Sequence, residues 1–377
     1  MRLLVLADLH LGAPCPEWGP RGQTRRDQIR AALKDGVDLA IREPVDAVFV
    51  GGDLFDRPDP PEELTAFAIT QFDRLHTGGI PSVVVPGVYD GGHHRGSVYE
   101  DSLWPESTML VNWPEITPVQ LAGENETLWL YSFCWHPGRT PQNPWSTFRR
   151  REGEGVHVGL VHAGLRSSSA PADLESPALT VTEETIAASG LDVVVLGRDH
   201  EPCTAVCGGT HAVVPGTPVG LTYGEWGERA FTLVDVSEDG VTTTVRPRNV
   251  APVVDVDWDV SGLGSDPAGL AVALMERLGA AAMARVRLHG KIKDPIDVDR
   301  LATMMSADGP VVDLIDDTEL DRRPGTEIVG HSVEAIFVER MRERIKKAAG
   351  AEDRAVLNHA LRMGVLKFQQ RGNRGAY

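Results

Sequence analysis

The 377 residues predict an α/β protein: a sheet-on-sheet sandwich over residues 1–250, a small α+β unit over 251–320 and a basic helical segment over 331–377. Three observations carry this reading. Short β-rich runs alternate with helical stretches through the first half, which is the pattern of an α/β domain. Later strand-like runs then follow one another without helices between them. Beyond Pro252 the alternation resumes on a smaller scale and ends in two amphipathic helices.

Taken in order, strands are expected at residues 2–7, 47–51, 82–86, 127–132, 156–161 and 193–196. Helices at 24–41 and 61–75 separate the first three, the second entered through prolines and closed by Gly78-Gly79. Runs at 212–214, 229–236 and 241–246 read as antiparallel additions. In the second unit a strand at 253–258, a helix at 267–278, a strand at 284–289, a helix at 298–306 and a strand at 311–315 follow one another. Residues 316–330, polar and carrying Pro324-Gly325, read as a linker. The closing helices are expected at 332–348, with Val333, Ile336, Phe337, Met341 and Ile345 on one face, and at 354–368.

Composition narrows the class. A hydrophobic share of 42% and a charged share of 24% exclude a fibrous or low-complexity chain. The apolar start at Met1 runs straight into Asp8 and His10, too short a stretch for a signal peptide or a membrane span. Cys15, Cys134, Cys203 and Cys207 make neither a zinc ribbon nor a disulfide framework, so the expected setting is a reducing cytoplasm without membrane attachment. A net charge of −17 argues against general adhesion to nucleic acid, because phosphate binding rests on cation density. Residues 340–377 differ: ten Lys or Arg against three acids leave that segment at +7 and the rest at −24. This asymmetry suggests a basic tail with its own partner, or else a solvated helix face.

The chemistry lies at strand ends. Asp8-Leu9-His10 closes the first strand, where side chains two apart share a face, so a carboxylate and an imidazole are expected to converge. By itself a capping Asp beside a surface His would serve as well. Gly51-Gly52-Asp53-Leu54-Phe55-Asp56 follows the second strand, its glycines letting the chain bend and expose Asp53 where open α/β sheets bind ligands. Val85-Pro86-Gly87-Val88-Tyr89-Asp90 ends the third. His162 ends the run from Val158, and Gly197-Arg198-Asp199-His200 ends the run from Val195. Five successive strand ends presenting Asp or His are hard to explain as packing, since both are poor core residues without partners.

In this order the motifs resemble those of the calcineurin-like metallophosphoesterases, D-x-H, G-D-x-x-D, G-N-H-D/E, a strand-end His and G-H-x-H. The likeness covers about residues 1–250 and implies a four-layer metallophosphoesterase sandwich, two mixed sheets flanked by helices. Within it, Val214-Pro215-Gly216-Thr217-Pro218, Tyr223-Gly224-Glu225 and the run from Arg229 to Val236 look like the SbcD family of DNA double-strand-break repair nuclease subunits. In layout, residues 251–320 then correspond to a DNA-capping domain and 331–377 to a docking segment for an SbcC-like ABC-type ATPase. The resemblance also implies DNA ends as substrate and a homodimer.

The same resemblance implies that Asp8, His10, Asp53 and His200 hold one metal. A second would share Asp53 and be held by the positions of Val88, His162 and Arg198. Valine has no lone pair, and a guanidinium stays protonated and cannot donate one. Tyr89 occupies the place of the family's catalytic His, and a phenol is a poor acid–base group at neutral pH. Two-metal hydrolysis uses both ions to stabilise charge, so losing one costs several kcal/mol of stabilisation. Arg198 can restore part of it, its cationic fork being suited to a phosphate oxygen, with His162 and Tyr89 beside it. His93 and His94 are candidate substitutes or plain loop residues. Two Asp and two His suit Mn²⁺, with Fe²⁺ or Zn²⁺ also accommodated.

Three functions remain open on this reading. The first is an SbcD-like metal-dependent DNA phosphodiesterase with one tightly held ion and weakened activity. The second is a non-catalytic DNA-end-binding scaffold for the ATPase, suggested by the joint departures at Val88, Tyr89 and Arg198. The third is a nucleotide or protein phosphoesterase, which leaves the second unit and the cationic tail without a reason.

Overall fold

The computed structural model describes residues 1–91, 97–100, 104–122, 127–166, 179–237, 239–248, 250, 252–279, 281, 283–306, 310–320, 333–348 and 350–372. The chain forms two compact units, Met1–Val250 and Ala251–Tyr377.

The first unit runs β1 (Arg2–Leu6), α1 (Gly22–Arg42), β2 (Ala47–Val50), α2 (Glu62–Thr77), β3 (Ser82–Val84), β4 (Thr108–Leu110), β5 (Thr117–Ala122), β6 (Thr127–Ser132) and β7 (Val156–His162). It continues through β8 (Gly164–Arg166), β9 (Thr180–Thr182), α3 (Glu183–Ser189), β10 (Val193–Gly197), β11 (Cys203–Cys207), β12 (Thr210–Val214), β13 (Ala230–Ser237) and β14 (Gly240–Pro247). Two six-stranded mixed sheets result, ordered β14-β13-β1-β2-β3-β4 and β11-β12-β10-β7-β6-β5. In the first, β1 to β4 are parallel and β13 and β14 antiparallel. In the second, β6, β7, β10 and β12 are parallel, so the run at 212–214 is not the antiparallel addition expected; it pairs parallel with β10, and β11 is its antiparallel neighbour.

The strands are continuous apolar runs because both faces are covered. Leu3, Val5, Phe49 and Val83 from one sheet interdigitate with Leu130, Val158, Leu160 and Val195 from the other. Each such side chain contributes about 1.5–3 kcal/mol by leaving water. On the far side of the second sheet Val161, Val194, Leu196 and Val214 pack with Ile186 of α3. That helix is capped by Thr182 Oγ1, which accepts from Thr185 N at 3.2 Å, and stops at Gly190 in left-handed backbone. Gly36 of α1 lies against Leu6, which places α1 on the outer face of the first sheet.

The second unit is built as β15 (Val253–Asp259), α4 (Pro267–Leu278), β16 (Met283–Ile292), α5 (Val298–Ser306), β17 (Val311–Leu320), α6 (Val333–Lys347) and α7 (Ala351–Gly372). Its three strands are parallel in chain order, with Val286, Leu288, Leu274 and Leu301 in their core. Asp266 caps α4 by accepting from Gly269 N at 3.0 Å. The stretch read as a linker begins in fact as strand: β17 pairs with β16 as far as Leu320. Arg362 of α7 explains why its polar half is ordered. Its guanidinium pairs with Asp316 Oδ2 at 3.0 Å and donates to the carbonyls of Asp316 and Thr318. Val338 and Met341 of α6 pack with Leu361 and Val365 of α7, and Leu320 joins them. Among the described residues no helix is long and apolar enough to cross a membrane.

Candidate metal centre

The loops that leave β1, β2 and β3 and those that leave β7 and β10 meet at the carboxyl edges of the parallel strands, the usual ligand edge of such sheets. Asp8 and His10 do converge, but not by strand alternation, because β1 ends at Leu6. Both lie in left-handed backbone, with φ 51° and 50°, as do Asp53 at 47° and Arg198 at 84°. Side-chain-bearing residues hold such angles at about 1–3 kcal/mol each, and that strain concentrates at functional sites. A short inter-loop ladder helps offset it: Asp8 N donates to Gly52 O at 3.0 Å, His10 N to Asp53 O at 2.9 Å and Leu11 N to Leu54 O at 2.9 Å.

On one side of the centre, Asp8, His10 and His200 offer ligand atoms within 4.8 Å of one another. His10 Nδ1 lies 2.9 Å from Asp56 Oδ1, and His200 Nδ1 lies 3.0 Å from Glu225 Oε1. With both Nδ1–H groups given to carboxylates, both Nε2 atoms present lone pairs, and these face each other at 3.3 Å. Two lone pairs so close need positive charge between them, a proton shared by the rings or a metal ion. This is also the usual arrangement of metal-ligating histidines, a carboxylate behind each ring fixing its tautomer. Asp56 and Glu225 are thus carboxylates of the candidate centre, quoted inside the sequence motifs without a role.

On the other side, Asp8, Asp53 and His162 form a second group within 4.8 Å, all buried. His162 Nδ1 is 3.0 Å from Gly51 O, and its Nε2 approaches Asp53 Oδ2 to 3.3 Å. That approach lacks hydrogen-bond geometry, so Nε2 is a buried nitrogen without a hydrogen-bond partner, which suits a ligand awaiting an ion. Asp53 groups here rather than with His10 and His200; its Oδ2 is 3.8 Å from His10 Nε2. The reason is its other oxygen, which accepts from Tyr89 N at 2.8 Å. The carboxylate common to both groups is therefore Asp8, whose two oxygens each accept from Arg198 N at 3.0 Å. Crowding accounts for the glycines: a Cβ on Gly52, at φ 105°, would strike the His162 ring, and one on Gly87 would strike the Asp53 carboxylate.

The structure also locates the departures. Val88 is half-buried next to Tyr89, which is 56% exposed and meets His10 edge-on with centroids 4.9 Å apart. Asp90 is wholly buried and serves the loop, accepting from Phe55 N at 3.0 Å, Gly87 N at 2.6 Å and the Tyr99 hydroxyl at 2.6 Å. Asp199 ties its turn to β8 by accepting from Leu165 N at 2.8 Å. His93 and His94 lie outside the described residues.

Electrostatics follow the packing. Burial pushes the Asp8 carboxyl up to about 6, the surrounding histidines only partly offsetting it. Burial would also raise Asp53, yet His162 beside it draws that carboxyl down to about 2. The reciprocal holds for His162, where burial opposes the charge and Asp53 overrides it, raising the imidazole to about 9. Burial likewise opposes charge on His200, but its hydrogen bond to Glu225 raises it. A divalent cation would take over the role these protons play in balancing buried carboxylates.

The calcineurin-like phosphoesterase profile matches residues 1–202. An uncharacterized metallophosphoesterase, YhaO of Bacillus subtilis (strain 168), is 25% identical over 278 residues, covering 72% of this chain and 64% of that protein. The DNA double-strand break repair protein Mre11 of Haloferax volcanii is 27% identical over 265 residues, covering 69% of this chain and 55% of that protein. The chain thus spans less than two-thirds of the length of either relative. Among solved structures, a dimetal phosphatase from Danio rerio aligns at 14% identity with a TM-score of 0.43, over 67% of this chain and 98% of that one. Calcineurin-like phosphoesterases bind divalent metals, and with their profile spanning the strand ends that carry Asp8, His10, Asp53, His162 and His200, this chain belongs to that family.

Proposed function

We propose that the protein is a metal-dependent DNA phosphodiesterase subunit of the SbcD and Mre11 type, working with one tightly held ion. The observation that carries this reading is the pair of facing Nε2 atoms of His10 and His200, each ring held by a carboxylate beside Asp8. Asp8, His10 and His200, with Asp53 close by, would hold the ion, Mn²⁺ being the best match and Fe²⁺ or Zn²⁺ acceptable to the same O and N donors. Such an ion supplies Lewis acidity and an activated water. The chain's own groups do the rest: Asp56 and Glu225 orient the imidazoles, while His162 and the Arg198 cation steady the phosphate. The Mre11 relatives support DNA as substrate. Incubation of the purified protein with Mn²⁺ and either linear duplex DNA or bis(p-nitrophenyl) phosphate tests it; if both remain uncut, the catalytic half is wrong.

A second reading, a non-catalytic DNA-end-binding scaffold, is favoured by one specific observation. Where the family carries its Asn and two His, this site carries Val88, Tyr89 and Arg198, none of which donates a lone pair to a metal at neutral pH. In either case residues 251–320 would meet DNA and α6 and α7 would dock an ABC-type ATPase, their exposed Arg340, Arg344, Lys346 and Lys347 offering charge to a partner. The open face of the three-stranded sheet is a poor candidate for phosphate contact. There Asp255, Asp257 and Asp259 of β15 and Asp313 and Asp317 of β17 flank Arg285 and Arg287 of β16. A homodimer completes the proposal, with sedimentation as its test.

A further inference from the structure

Two aromatic rings break the rule that this chain buries its aromatics. Among the described residues only Tyr89, at 56%, and Trp226, at 62%, are aromatic side chains in the exposed class. Both belong to loops that supply the candidate metal centre. Tyr89 meets His10 edge-on at 4.9 Å between centroids, and Trp226 directly follows Glu225, the carboxylate that holds His200. Both are also presented from fixed backbone. Tyr89 N is tied to Asp53 Oδ1 at 2.8 Å, and Trp226 O accepts from Arg229 Nη2 at 3.3 Å. Next to Trp226, both oxygens of Glu225 are committed, Oε1 to His200 and Oε2 to Leu221 N at 2.7 Å.

We propose that Tyr89 and Trp226 form a stacking platform for unpaired nucleobases at the mouth of the metal centre, making a single-stranded or frayed DNA end the preferred substrate. The proposal rests on the DNA phosphodiesterase reading and sharpens it. Exposed rings held in place by their backbone lose little freedom on binding, and every base offers a π-face to them. A chain of net charge −17 lacks the cation density that grips duplex phosphates, and base stacking adds affinity that does not come from charge.

The test is fluorescence anisotropy on the full chain in EDTA, where cleavage does not intervene, with three labelled probes: an oligodeoxythymidylate, an abasic oligomer of equal length, and a blunt duplex. The thymidylate is expected to bind about tenfold tighter than the abasic oligomer and tighter than the duplex. Trp226→Ala should bring the thymidylate down to the abasic level without changing abasic affinity, and Trp226→Phe should keep most of the preference. Tyr89→Ala should act in the same direction, with Tyr89→Phe unaffected. Equal binding of thymidylate and abasic oligomer by the unaltered protein, binding of neither, a duplex preference, or a Trp226→Ala loss shared equally by both oligomers would each overturn the proposal. Base-dependent binding without any Mn²⁺-dependent cleavage would sink the catalytic reading and leave this one standing.

Discussion

The two sides of the metal centre are built from the same residue types yet differ in completeness. On the His10 and His200 side, each imidazole has a carboxylate behind it and a lone pair in front. On the His162 side, one imidazole is braced only by a backbone carbonyl, and the family resemblance assigns Val88 and Arg198 to the two further ligand positions. What distinguishes a well-supported ligand set from a remnant is therefore less the first ligand than the group behind it. Asp8 belongs to both sides.

The largest effect should come from breaking both sides at once. Asp8→Ala removes the shared carboxylate, and the protein is expected to lose its bound metal by elemental analysis and to fall by more than about a hundredfold in any Mn²⁺-dependent phosphodiesterase rate. Next, making the sides alike should raise the weaker one. Val88→Asn, Tyr89→His and Arg198→His together are expected to move metal stoichiometry from one toward two and to raise the rate by about a hundredfold, read on bis(p-nitrophenyl) phosphate. If the triple variant alone is active, the scaffold reading holds for the unaltered protein. Glu225→Gln weakens only the better side: Mn²⁺ affinity by calorimetry should drop roughly 10–100-fold with the fold intact. Smallest is Gly52→Ala, which replaces no ligand but drives a methyl group into the His162 ring. Urea denaturation should show about 1–3 kcal/mol lost, and an unchanged midpoint would mean the His162 side is looser than the geometry implies.

Much of this site was legible because glycine, carboxylate and imidazole recur at strand ends, a pattern that packing does not generate. The cause of convergence was not legible. Asp8 and His10 were expected to align by strand alternation, whereas left-handed backbone turns them together; Asp and His adopt that conformation more readily than most side-chain-bearing residues, but the residue types alone do not announce it. Glu225 lies 25 residues beyond His200, across β11 and β12, so its contact with that ring exists only in the folded chain. Among the elements, most apolar strands of both sheets were readable, while β4, β5, β8, β9, β11 and α3 were missed. β11 exposes most of its residues and carries no alternation to detect. The second half of β17 read as linker because its acids look solvated until Arg362 arrives from far along the chain.

That arginine has a consequence for dissecting the protein. One of the ten cations of the tail is spent as an internal bolt, 8% exposed, joining the last helix to the last strand. A chain shortened before Val333 would strip that bolt and bare Leu320, so lost binding after such a cut would report a damaged second unit. Reversing charge at Arg340 and Arg344, which point to solvent, interrogates the tail while leaving its fastening in place.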